Sequence, residues 1–185
     1  MTGPVHVVAR EPSDCHDTEI GDFMAFVLAG GEVKPKGLEG RIRSAISLVF
    51  LTVGCCLCGV AALKRPEASY RKRVSSSSTI ALPEQKFSYE LGWVFIMPSA
   101  RGRRFSVDLT RAALASAGNK GVFSTSRTDN PSMHATLHKF QFVSVGKSWA
   151  SDRGDHNLQL FLRHAAQPPH APDRLERASP ASAGR

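Results

Sequence analysis

The chain has 185 residues, of which 42% are hydrophobic and 22% are charged, a composition that is normal for one globular domain. The formal net charge of +8 at pH 7 favours anionic partners such as nucleic acid, anionic lipid or a phosphorylated cofactor, and it does not choose among them. Stacking aromatic residues do not interleave with the basic clusters at 70–74 and 101–104, so charge alone does not indicate a nucleic-acid-binding protein.

The two ends of the chain differ in composition from the middle. Residues 1–12 lack a basic start followed by an apolar core, so they are predicted to be a flexible segment and not a secretory signal. Residues 164–185 are rich in Pro, Ala and charge without an apolar period, which predicts a disordered tail. One folded domain is therefore expected over residues 13–163. Without an export signal we expect a cytoplasmic protein with free thiols.

The first periodic segment is "DTEIGDFMAFVLAGG", residues 17–31. It places Ile20, Phe23, Met24 and Val27 at helical spacing, and the following Gly30-Gly31 pair would end the helix. A second short helix is predicted within "KGLEGRIRSA", residues 36–45.

A run without formal charge follows at residues 44–63 and contains three of the four cysteines. It has the length of a single membrane span. Its Cys55-x-x-Cys58 spacing resembles half of a zinc site, but no second Cys pair or spaced His pair completes it. The run also divides into two strand-length pieces, 46–53 and 57–64, around a turn at 54–56. We favour this hairpin, buried on both faces, and expect neither a metal site nor a membrane segment; the single span is the alternative.

The second half of the chain alternates strands with helices, which indicates a sheet with helices on its faces. Before it, residues 71–85 are interpreted as a long flexible loop. Strands are predicted at 89–98, 121–128, 140–146 and 157–163, and helices at 103–118 and 130–140. Asn130 is placed to cap the last helix, with Pro131 in its first turn.

The strand, basic loop and helix of residues 89–118 have the chemistry of an anion-binding site. Backbone N–H groups of the loop and of the first helical turn would point at one spot, and the helix dipole adds partial positive charge there. Arg101, Arg103 and Arg104 could add full charges, so the expected ligand is a pyrophosphate or a similar group. An ordinary solvated basic turn is the alternative.

Three motifs in this region are similar to those of a known family. In "VFIMPSARGRRFS" (94–106) a strand ends at a proline and runs into a loop with Arg101 and Ser106 at its ends. In "GVFSTSRTDNPSMHATLHKF" (121–140) a strand leads to an Asn that opens a short helix, and Gln141-Phe142 follow. These motifs resemble the GNAT superfamily of acetyl-CoA-dependent N-acyltransferases, and the likeness covers residues 15–163.

The resemblance implies an α/β (α+β) fold with a mixed, mostly antiparallel central sheet flanked by helices. It also implies direct transfer of an acetyl group from acetyl-CoA, the cosubstrate, to a primary amine acceptor that the sequence does not identify. Glu90 would be the general base and His134 would protonate the leaving thiolate. The implied cofactor-binding residues are Phe95, Ile96, Met97, Arg101, Gly102, Arg103, Arg104, Phe105, Ser106 and Asn130.

The chain departs from the family pattern at three positions. Arg104 replaces the central Gly of the phosphate loop, Leu137 replaces the Tyr that often serves as general acid, and Gln141 replaces the Gly before Phe142. These departures keep open a second interpretation, a non-catalytic CoA-binding or protein-interaction module on the same fold.

Overall fold

The computed structural model describes residues 3–165, which form seven strands and five α-helices. The strands are β1 (Val5–Arg10), β2 (Ser47–Val53), β3 (Cys56–Lys64), β4 (Tyr89–Ile96), β5 (Val122–Arg127), β6 (Val143–Ala150) and β7 (Asn157–Arg163). The helices are α1 (Asp17–Ala29), α2 (Leu38–Arg43), α3 (Ala68–Ser78), α4 (Phe105–Ala115) and α5 (Pro131–Lys139). Short 3-10 turns lie at Pro12–Asp14 and Pro98–Ala100.

All seven strands belong to one sheet in the order β1-β2-β3-β4-β5-β7-β6. Every neighbouring pair is antiparallel except β4 and β5, which are parallel. The mixed, mostly antiparallel sheet flanked by helices confirms the predicted fold class.

The two faces of the sheet carry different apolar cores. On one face a single cluster joins β2, β3 and β4 to α4 and α5, and it includes Leu91, Leu109, Leu137 and Phe161. On the opposite face, α1 and α2 pack on β2–β4, while α3 packs on β5, β6 and β7 through a separate cluster. The boundary between these two apolar clusters therefore lies at β4 and β5 on the face covered by α1 and α3.

The apolar run of residues 44–63 forms the β2–β3 hairpin, as predicted. Both strands are largely buried, because β1 and β4 flank them and helices cover both faces. The turn is shorter than expected: Val53 pairs with Cys56, which leaves Gly54 and Cys55 as the two loop residues. Gly54 has a φ of 60°, a conformation that glycine adopts without steric cost. Among residues 3–165, no helix is long and apolar enough to cross a membrane.

Two elements correct the sequence prediction. Residues 68–78 form α3, where the sequence predicted a flexible loop over 71–85; Val74 is buried, and Arg71 donates to the backbone carbonyl of Phe87 at 2.6 Å. Residues 5–10 pair with β2 as an edge strand, although residues 1–12 were predicted to be flexible. Most of the predicted tail, from residue 166 onward, lies outside the described residues.

Candidate active site

The parallel strands β4 and β5 separate after two residue pairs. Tyr89 pairs with Val122 and Glu90 pairs with Phe123, and the pairing ends there. Beyond this point β4 keeps β3 as its only partner, so the backbone groups on its other edge face an open wedge between the strands. We call this opening the β4–β5 wedge.

A β-bulge lies in β4 at the wedge. Ala62 pairs with Gly92 and Val60 pairs with Phe95, so Ala61 alone lies opposite both Trp93 and Val94. Trp93 has a φ of 54°, which a non-glycine residue rarely adopts. A bulge of this kind leaves a residue out of the regular ladder and turns the strand. The bulge thus exposes backbone groups of β4 to the wedge.

The predicted phosphate loop follows β4 at the open end of the wedge. Arg101, Gly102, Arg103 and Arg104 are all exposed, and α4 begins at Phe105. The Arg101 Nε donates to the carbonyl of Ile96 at 3.1 Å, and the Arg103 guanidinium lies 4.8 Å from the centre of the Phe105 ring. The loop therefore presents positive charge and the unpaired N–H groups of a helix start in one place.

At two of the three positions that depart from the family pattern, the backbone keeps the conformation that glycine favours. Arg104 has a φ of 62° and Gln141 a φ of 64°, both in the left-handed region. Arg104 occupies the N-cap position of α4, its side chain makes no hydrogen bond to the start of the helix, and the residue is exposed. The chain thus retains the turn geometry at a conformational cost of about 1–2 kcal/mol per non-glycine residue.

Ser106 and Asn130 have partners within the protein. The Ser106 hydroxyl lies 2.9 Å from the Thr136 hydroxyl and so joins α4 to α5. The Asn130 side chain accepts from the N–H of Met133 at 3.1 Å, which confirms the predicted helix cap.

His134 lies in α5, on the face opposite Glu90. Its Nε2 is 2.8 Å from the Arg127 carbonyl, and the centre of its ring lies 4.9 Å from that of the Phe161 ring, with the two rings tilted by 47°. A carbonyl only accepts, so Nε2 carries the proton in the neutral ring. Leu137, at the position of the family tyrosine, is fully buried among apolar residues.

Glu90 belongs to a buried polar cluster at the closed end of the wedge, on the face covered by α1 and α3. Glu90 is only 3% exposed, and its Oε2 lies 2.8 Å from Lys64 Nζ. The Tyr70 hydroxyl donates to Glu90 Oε1 at 3.0 Å and lies 3.3 Å from the Thr125 hydroxyl. We call Lys64, Tyr70, Glu90 and Thr125 the Glu90 cluster.

Burial, followed by the negative charge of Glu90, raises the pKa of Tyr70 well above its usual value, and the hydrogen bond to Thr125 acts in the opposite direction. Tyr70 is therefore a protonated hydrogen-bond donor at physiological pH.

Sequence reasoning found Glu90 and missed the other members of the cluster. Lys64 lies opposite Glu90 in the β3–β4 register, so strand pairing would have indicated it. Tyr70 was missed because most of α3, from residue 71 onward, was interpreted as a loop, and Thr125 lies in β5 without a sequence pattern that indicates a partner.

A second polar contact links two loops on the same side of the sheet. Glu32, between α1 and α2, lies 3.2 Å from His156 and 3.8 Å from Arg127. Arg127 also pairs with Asp129 at 2.7 Å, and its hydrogen bond lowers the pKa of the exposed Asp129. Glu32 therefore connects the α1–α2 loop to the β6–β7 loop beside the wedge.

Sequence comparison identifies no relative: no family model matches, and no curated protein matches. Solved structures do match. The chain is similar to an acyl-CoA N-acyltransferase from Pseudomonas aeruginosa, with a TM-score of 0.62 and 14% identity over 86% of this chain and 99% of that one. It is also similar to Arabidopsis thaliana NAA60 in complex with a bisubstrate analogue, with a TM-score of 0.62 and 9% identity over 86% and 98% of the two chains.

A third match is yncA from Salmonella typhimurium, whose structure contains its cofactor acetyl-CoA, with a TM-score of 0.58 and 12% identity over 93% and 99% of the chains. The chain has the fold of acyl-CoA N-acyltransferases.

Proposed function

We propose that this protein transfers an acetyl group from acetyl-CoA to a primary amine. The observation that carries the proposal is the β4–β5 wedge: two parallel strands separate after two residue pairs, and a basic loop with a helix start stands at the open end. A long, thin ligand with a charged pyrophosphate matches this opening in both shape and charge.

The cofactor side of the site would use mostly backbone groups. Backbone groups of Phe95, Ile96 and Met97 would bind the amide groups of the pantetheine arm, apart from the Met97 N–H, which donates to the Cys58 carbonyl at 3.0 Å. The loop at 101–106 would hold the pyrophosphate through N–H groups of the α4 start and the exposed arginines. Acetyl-CoA supplies an activated acetyl thioester when it is bound.

The acceptor side would use Glu90 as general base, because the attacking amine must lose a proton. Glu90 lies between the two clusters on the face covered by α1 and α3, so an acceptor would have to reach it from that face. His134 would protonate the departing thiolate. Because its Nε2–H donates to the Arg127 carbonyl, it could do so only through Nδ1 of a doubly protonated ring.

Calorimetric titration with acetyl-CoA tests the cofactor part of the proposal. Saturable binding is expected, and ligand at 100 times Kd should raise the free energy of unfolding by about 2.7 kcal/mol. Arg104→Gln should weaken binding, whereas Arg111→Gln, on the exposed side of α4 and paired with Asp108, should leave it unchanged. Absence of saturable binding by the wild-type protein would overturn the proposal.

The non-catalytic alternative has one specific observation in its favour. Lys64 and Tyr70 already occupy both oxygens of Glu90. A panel of primary amines, assayed for release of free CoA thiol, distinguishes the two functions. Transfer to at least one amine, lost in Glu90→Gln, supports the enzyme; tight binding of acetyl-CoA without transfer to any amine supports the binding module.

A further inference from the structure

The Lys64 amine contacts the groups that would be expected to bind the amine of an acceptor, a carboxylate and aromatic rings. Its Nζ lies 2.8 Å from Glu90 Oε2, 4.8 Å from the centre of the Trp93 ring and 5.7 Å from that of Tyr70. Its side chain is only 14% exposed. A carboxylate together with aromatic faces is a general binding site for an ammonium group. Here the ammonium group in such a site is that of the Lys64 side chain.

Gly92 fixes where this amine lies along β4. A Cβ at position 92 would come within 2.6 Å of Lys64 Cε and 2.8 Å of Lys64 Nζ. The end of the lysine side chain therefore lies directly across the β4 backbone at Gly92. The next two residues, Trp93 and Val94, form the bulge that opens toward the wedge. Lys64 thus brings a primary amine, with a carboxylate beside it, to the edge of the proposed acetyl-transfer site.

We propose that Lys64 is itself an acetyl acceptor, modified intramolecularly from acetyl-CoA. This inference rests on the proposed function. Glu90 takes a proton from the Lys64 ammonium, the neutral amine forms a bond to the thioester carbonyl carbon, and the carbon–sulfur bond breaks. The products are Nε-acetyl-Lys64 and coenzyme A, whose thiolate takes up the proton that the nitrogen loses.

Acetylation would change the Glu90 cluster. It removes the charge of Lys64, and with it the ion pair and the cation–π contacts to Trp93 and Tyr70. Glu90 would keep the Tyr70 hydrogen bond and regain an oxygen for an external amine. The modification would therefore convert an occupied acceptor site into an open one.

The experiment uses the full chain with acetyl-CoA labelled in the acetyl group, followed by peptide mapping. We expect label at Lys64 at a rate that saturates with acetyl-CoA and is independent of protein concentration, as an intramolecular reaction requires. The exposed Lys120 and Lys139 serve as internal comparators for chemical acetylation. Lys64 should react at least about tenfold faster than either, because its amine is positioned and has a base.

Two variants test the geometry. Glu90→Gln removes the base and should slow labelling of Lys64 by about 100-fold or more, with Lys120 unchanged. Gly92→Ala should displace the lysine end by direct overlap; the contacting atoms belong to a flexible side chain, so the fold should persist, and circular dichroism checks this. Lys64 labelling that is no faster than that of Lys120, or that survives Glu90→Gln, overturns the inference.

The outcome is separable from that of the proposed function. A protein that binds acetyl-CoA and acetylates external amines while Lys64 stays unmodified retains the proposed function and loses this inference. A protein that does not bind acetyl-CoA loses both.

Discussion

Removing Lys64 tests how the buried charge of Glu90 is held. Lys64→Met keeps most of the volume and apolar stem but leaves Glu90, 3% exposed, with a buried negative charge and the hydrogen bond from Tyr70. Breaking a buried pair by removing one partner costs about 3–5 kcal/mol. In a domain of this size, 1 kcal/mol shifts the melting temperature by about 2–4 °C, so a decrease of about 6–20 °C is expected.

Replacing Glu90 should lower the free energy of unfolding by less than replacing Lys64. In Glu90→Gln the hydrogen bonds partly persist, and Lys64, 14% exposed on a flexible side chain, can move its charge toward water. A loss of about 1–3 kcal/mol is expected, the range for a charged hydrogen bond. The double variant Lys64→Met/Glu90→Gln should recover most of the loss, because no unpaired charge remains.

Urea unfolding of the four proteins measures these differences as a double-mutant cycle. Arg111→Met, which breaks the exposed pair with Asp108, is the control and should cost under about 1 kcal/mol. If Lys64→Met costs no more than Arg111→Met, then Glu90 is not buried as a charge and the reasoning fails.

Three further predictions concern single positions. The raised pKa of Tyr70 contributes stability that is present below about pH 10 and is lost as pH rises through the folded-state pKa, so urea unfolding of Tyr70→Phe should show a smaller alkaline loss than the wild type. Arg104→Gly should raise the free energy of unfolding by about 0.5–1 kcal/mol, because it relieves left-handed strain, whereas Arg103→Gly, where φ is not positive, should lower it; thermal unfolding compares the two. Gly121→Ala should lower the melting temperature by several degrees, because its Cβ would overlap the Lys86 carbonyl oxygen, and an unchanged melting temperature would contradict the packing described.

Local patterns predicted the elements whose signals lie within one segment. The hairpin, α1, α4 and β7 follow from apolar spacing and glycine stops, and the Asn130 cap follows from its own side chain. Local patterns did not predict helix α3, because this helix buries little beyond Val74 and Ser78. It also ends in four serines, which is the composition of a loop. Strand β1 lies at the sheet edge with most residues exposed, so it carries no core pattern.

The two parts of the candidate site also differ in how far they could be predicted from the sequence. The predicted phosphate loop is one continuous stretch, so its motif could be recognised in the sequence. The members of the Glu90 cluster come from β3, α3, β4 and β5. The first and the last of them, Lys64 and Thr125, are 61 residues apart in the sequence (125 − 64). No local sequence pattern specifies such a cluster. The register between the strands and the position of α3 bring its members together.

The β4–β5 wedge also divides the sheet mechanically. Only two residue pairs join the half with β1–β4 to the half with β5–β7, and a shared apolar core spans that boundary on the α4 and α5 side alone. On the other side the two halves pack into separate clusters. Rotation of one half against the other about the α4–α5 side would therefore open no shared apolar core, and it would act on the polar contacts of the Glu90 cluster and of Glu32. We expect the width of the proposed acceptor opening to change by small rotations of the two halves that these polar contacts limit.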